Sequence, residues 1–180
     1  MNDRVLGPLL GTLTQQFSAI DLLVERKLQF PTLSLIYSGI DAVAWLGGRD
    51  DETQVGPRFT SWVDRYVLPE VPLRARAIDL YAARCGILHT LTADADLITK
   101  GKAIPVCYAW GSADDTVLQG AIDTKMRGKA VAVHIDRLAR GFRLGTLAMF
   151  TAADSDAALA DRITRRAPRF FAQLPSDLGK

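Results

Sequence analysis

Arg84 and His89, in the stretch "DLYAARCGILHTLT" at residues 79–92, are the residues whose types and spacing point most directly to chemistry; His89 is one of only two histidines in the chain. An arginine fork is always charged and matches phosphate geometry, and a histidine exchanges protons near neutrality. Together they suit phosphodiester chemistry without a metal, Arg84 binding the phosphate and His89 moving the proton. A structural role competes with this one. A guanidinium on an apolar helix face needs acceptors for its five donors. Asp41, the acidic residue of the apolar segment "PTLSLIYSGIDAVAWL", is the candidate partner of Arg84, with His89 donating to a backbone carbonyl.

The remaining polar groups say less. Lys100 and Lys102, in "TKGKA", are candidate RNA-backbone contacts in a segment that is also ordinary loop chemistry. Tyr108 and Trp110 suit either base stacking or core packing. The pairs Asp94/Asp96 and Asp114/Asp115 read as solvated or helix-capping carboxylates. Cys85 and Cys107 stand in apolar surroundings without a CxxC or Cys/His cluster, so they read as buried thiols, and no metal site or cofactor is expected. The chain has no GxxxxGK[ST], no GxGxxG after a strand, no HExxH and no GxSxG.

Helices must position these residues. Apolar residues recur at three and four from about Gly11 to Leu28, and "PTLSLIYSGIDAVAWL" is apolar nearly all round, which predicts a central second helix opened by Pro31 and closed by Gly47 and Gly48. A short helix follows over "GPRFTSWVDRYVL", and the next starts at Pro72 and runs through Arg84 and His89 to about Thr92. β-like alternation at about 103–110 and 129–135 predicts a two-stranded element around a short helix near Thr116 to Ile122. Two C-terminal helices over about 136–173, divided by Asp154 or Ser155 as a cap, complete a single domain over 1–180 with its helical core at about 10–92. The class is mainly α with a minor two-stranded β element in the C-terminal half.

At about 100° per residue, Ala77, Leu80, Tyr81, Arg84, Leu88 and Leu91 fall within roughly 50° of one line, and Ile78, Ala82, Cys85 and His89 lie roughly 140° away. Ala75, Arg76, Asp79, Ala83, Gly86 and Thr90 occupy the arc left for solvent. Arg84 and His89 therefore belong to one broad buried sector but diverge within it, and two copies related by a dyad would bring two such pairs together.

The 180 residues suffice for a core without disulfides. The net charge of +2 hides an asymmetry, since residues 125–170 hold ten Lys/Arg against four Asp/Glu, a bias that suits a polyanion or simply a solvated face. No segment approaches the roughly 20 apolar residues of a membrane span, and the N-terminus does not read as a signal peptide, so no membrane partner and a cytoplasmic location are expected.

Arginine, four residues, then histidine, written "RCGILH" at 84–89 near the end of a helix, resembles the signature of the HEPN superfamily. The likeness takes in "PTLSLIYSGIDAVAWL" and covers roughly residues 10–92. It implies a HEPN-like helical bundle, a homodimer with the pair at its interface, and a metal-independent endoribonuclease in defence, toxin–antitoxin or stress systems. RNA and an antitoxin-like protein would then be its partners. By that resemblance Arg84 stabilises the phosphorane and His89 acts as general base or acid, leaving 2′,3′-cyclic phosphate ends. Cys85 stands where a polar residue is usual in that family, which favours the other reading: a non-catalytic binding module of the same fold with Arg84 in a structural ion pair.

Overall fold

α1 (Asp3–Glu25) and α2 (Gln29–Gly47) open the chain, which a computed structural model describes over residues 3–90 and 96–170. Lys27 adopts a left-handed conformation at φ 56°, and the amides of Lys27 and Leu28 close back on the carbonyls of Val24 and Leu23. This Schellman turn ends α1, so the break precedes Pro31. α2 starts two residues before that proline, which is tolerated because amides of the first helical turn have no intrahelical acceptor.

α2 is the centre of the molecule. Ile36, Tyr37, Ile40, Val43 and Leu46 are wholly buried, as the all-round apolar pattern requires. α3 (Val55–Trp62) runs into a π-helical turn at Val63–Val67. α7 (Ile135–Ala152) packs on that turn through Gly141 and Gly145. A Cβ on Gly145 would stand 2.7 Å from the Tyr66 carbonyl oxygen, so glycine is what allows this approach.

α4 (Ala77–Cys85) continues into a second π-helical turn at Gly86–Thr90. The helix begins at Ala77 and not at Pro72, because Asp79 sets its start by accepting the Arg76 amide at 3.0 Å. The expected solvent arc of this helix is corrected as well: Ala75, Asp79 and Ala83 are buried. Asp79 can be buried because it also accepts from the Arg76 side chain and, at 3.0 Å, from the Ile104 amide.

α5 (Asp96–Thr99) leads to β1 (Val106–Ala109), α6 (Asp115–Met126) and β2 (Val131–His134). The strands pair in parallel, Val106 opposite Val131 and Ala109 opposite His134. α6 is thus the crossover that a parallel pair requires. Tyr108 anchors β1 to the core, its hydroxyl 2.5 Å from that of Tyr37. Burial pushes both phenols well above the ordinary tyrosine range.

α8 (Ala157–Arg166) and a 3₁₀ turn at Ala167–Arg169 close the described chain. Asp156 caps α8 by accepting the Leu159 amide at 2.9 Å, so the divider is neither Asp154 nor Ser155. The chain is mainly α, with eight α-helices and one small parallel sheet among the described residues. None of those helices is long and apolar enough to cross a membrane.

Candidate functional site

Asp41 projects from the middle of α2 toward the end of α4, and Arg84 meets it there. The guanidinium donates through Nε to Asp41 Oδ2 at 2.6 Å and through Nη2 to the same oxygen. Both side chains are largely covered, 13% of Arg84 and 19% of Asp41 remaining exposed. Asp41 Oδ1 is buried and accepts no hydrogen bond from a described residue. Burial of this half-satisfied carboxylate pushes its pKa up, against the opposing pull of Arg84 and of the Arg58 charge. Arg84 stays charged, held so by Asp41 despite its own burial.

His89 is exposed, and its Nε2 lies 2.7 Å from Arg84 Nη1. A guanidinium only donates, so this contact needs Nε2 as the acceptor and the ring proton on Nδ1. The pair therefore meets within one chain. Ideal α-helical spacing puts residues five apart on different faces, but the π turn, with its i→i+5 repeat, returns the chain to the same side after five residues. The expected divergence of the two side chains and the burial expected for His89 are both corrected by that single turn.

No protein-family model, curated protein or solved structure matches the chain.

Beside Asp41 runs an open groove of about 400 Å³ lined by Ser38, Ala42, Trp45, Arg169 and Phe170. Ser38, Asp41, Ala42 and Trp45 are spaced at i, i+3, i+4 and i+7 along α2, so they share one face. Arg166 and Arg169 place their guanidinium carbons 5.7 and 5.6 Å from the centre of the Trp45 ring. Arg166 also donates to the carbonyls of Trp45 and Gly48 and to Asp50, which ties α8 to the C-terminal end of α2. The groove thus combines an aromatic wall, a surface arginine and the edge of the Asp41–Arg84 pair.

The other candidates lie apart from this pair. Lys100 and Lys102 are exposed beyond α5, and Lys100 approaches Asp96 at 3.4 Å; no contact among the described residues joins either lysine to Arg84 or His89. Trp110 is exposed, whereas Tyr108 is committed to Tyr37. Both cysteines are free and half-buried, and burial pushes the Cys107 thiol up. Asp114 caps α6 through the Thr116 amide, and Asp115 is buried against Arg137; Asp94 lies outside the described residues. No group of three or more His, Cys, Asp or Glu is arranged to hold a metal among the described residues. Sequence reasoning missed Trp45, Arg58, Arg166 and Arg169; the helical spacing of Trp45 from Asp41 was the available signal for the first.

Proposed function

We propose that the chain is a HEPN-like, metal-independent endoribonuclease acting as a homodimer, with Arg84 and His89 as its catalytic pair. The observation that carries this reading is the Nε2-to-Nη1 contact at 2.7 Å, which places an exposed imidazole against a cation held in place by Asp41. In cleavage, His89 takes the proton of a ribose 2′-hydroxyl through the nitrogen it now presents to Arg84, and the released guanidinium N–H turns to the phosphorane oxygens. The imidazolium of His89 then returns that proton to the 5′-oxygen as the P–O5′ bond breaks, leaving a 2′,3′-cyclic phosphate and a 5′-hydroxyl. RNA lying along the groove would meet Trp45 and Arg169 as stacking and charge contacts.

A second reading has its own support. Arg84 already commits Nε, Nη1 and Nη2 inside the chain, as a structural arginine of a non-catalytic binding module does. Cleavage of end-labelled RNA in EDTA separates the two. His89→Ala and Arg84→Ala should each lower the rate by about 10²–10⁴-fold, with the fold retained for His89→Ala because that side chain is exposed. Wild-type protein that leaves both structured and single-stranded RNA uncut removes the enzymatic reading.

A further inference from the structure

Four arginines from four separate segments converge where α2 ends. Arg49 follows α2, Arg58 lies on α3, Arg65 on the first π turn and Arg162 on α8, and together they line a cleft of about 110 Å³ whose one carboxylate is Glu52. Among the described residues most of these arginines form no ion pair. Arg65 makes no ion pair among the described residues. Among the described residues Arg58 hydrogen-bonds only to the Glu52 carbonyl, at 3.4 Å, and Arg162 only to the Gly47 carbonyl, at 3.2 Å. Arg49 is paired with Asp51, and the Glu52 carboxylate accepts the Arg49 amide at 3.1 Å. By contrast Arg165 pairs with Asp161 and Asp50, and Arg166, the next arginine of α8, pairs with Asp50.

Arg58 is also built in. A Cβ on Gly48 would stand 2.6 Å from Arg58 Cδ, so the glycine leaves room for the arginine stem to lie against the end of α2. We propose that this cleft is a phosphate-binding site, taking a phosphate group carried by a nucleic acid strand or by a small phosphate ester. Three guanidinium groups that form no ion pair among the described residues, lining one concavity, are the arrangement that recognises a phosphate through several charge-assisted bonds. Its size suits a phosphate or diphosphate rather than a whole nucleotide, since pockets for drug-sized ligands run to roughly 300–1,000 Å³. The proposal stands without the ribonuclease reading, because none of these arginines belongs to the Arg84–His89 pair.

The test uses the full chain with two probes, inorganic pyrophosphate and a short single-stranded oligoribonucleotide, followed by amide NMR shifts at Gly47 and Gly48. Pyrophosphate should bind saturably there, and an Arg65→Gln/Arg162→Gln double variant should bind about tenfold more weakly or worse, while Lys125→Gln on α6 binds like wild type. Should the double variant fail to fold, Arg65→Gln alone, at an exposed and unpaired side chain, should weaken binding about threefold or more. Displacement of pyrophosphate by the oligonucleotide identifies a nucleic acid phosphate as the ligand; pyrophosphate binding that the oligonucleotide leaves untouched identifies a small phosphate ester. The absence of saturable shifts with either probe, or Arg65→Gln binding as tightly as wild type, overturns the proposal.

Discussion

Asp41 accepts both bonds from Arg84 at one carboxylate oxygen and leaves the other buried without a described partner. Its raised pKa means that the fold opposes its ionisation. The resulting penalty is absent below the ordinary carboxylate range and builds up as pH rises through the raised value. Asp41→Asn removes that penalty but leaves the covered Arg84 guanidinium without its counter-charge. The variant should therefore lose about 2–4 kcal/mol in urea denaturation. On the ribonuclease reading its RNA cleavage should fall about tenfold or more, because a guanidinium released from its anchor no longer holds a fixed position. A stability loss of several kcal/mol with unchanged cleavage would show Asp41 to be an ordinary structural partner.

Between elements, the two π turns do different work. The turn at Gly86–Thr90 brings an exposed histidine onto a covered arginine, whereas that at Val63–Val67 shapes a packing surface for α7. Gly145→Ala should destabilise the protein by about 1–3 kcal/mol, since the new methyl meets the Tyr66 backbone and not a movable side chain; thermal denaturation measures it. The helices themselves were legible from apolar spacing, and Arg84, His89 and Asp41 stood out as polar breaks in apolar faces. Their meeting was not, because the helical wheel assumes an α repeat throughout and nothing in "CGILHT" announces five-residue spacing. Asp79 and Ala83 fell in the solvent arc although the α repeat holds there, because a helical wheel does not show which other segments cover a face. Asp79 was misplaced for a further reason: its acceptor role depends on Ile104, 25 residues away. The Arg-lined cleft was equally hidden, since its four arginines come from segments that the fold alone unites.

Across the whole molecule, charge that is lopsided along the chain is balanced in space. Arg137, Arg143, Arg165 and Arg166 of the basic C-terminal part pair with Asp115, Asp21 and Asp50 from earlier segments, so the basic excess is not simply a free polyanion face. Asp79 is the most consequential of the long-range contacts, because it joins the start of α4 to the segment that enters β1. Burial pushes its carboxyl up, but the Arg76 side chain and the amides of Ile104 and Arg76 together outweigh burial and hold it below the usual range. A lowered carboxylate pKa contributes stability that is fully present above its unfolded value of about 4 and is lost as pH falls through the folded value. Asp79→Asn should cost about 2–3 kcal/mol at pH 7, since an amide in that place cannot keep all the donors of Arg76 and Ile104 satisfied. The deficit should shrink as the solution is acidified, because the wild-type carboxylate then loses its charge as well. Urea midpoints of both proteins at pH 7 and pH 3 check this: converging curves support the assignment, and a gap of constant size would mean that Asp79 contributes through shape and not through charge.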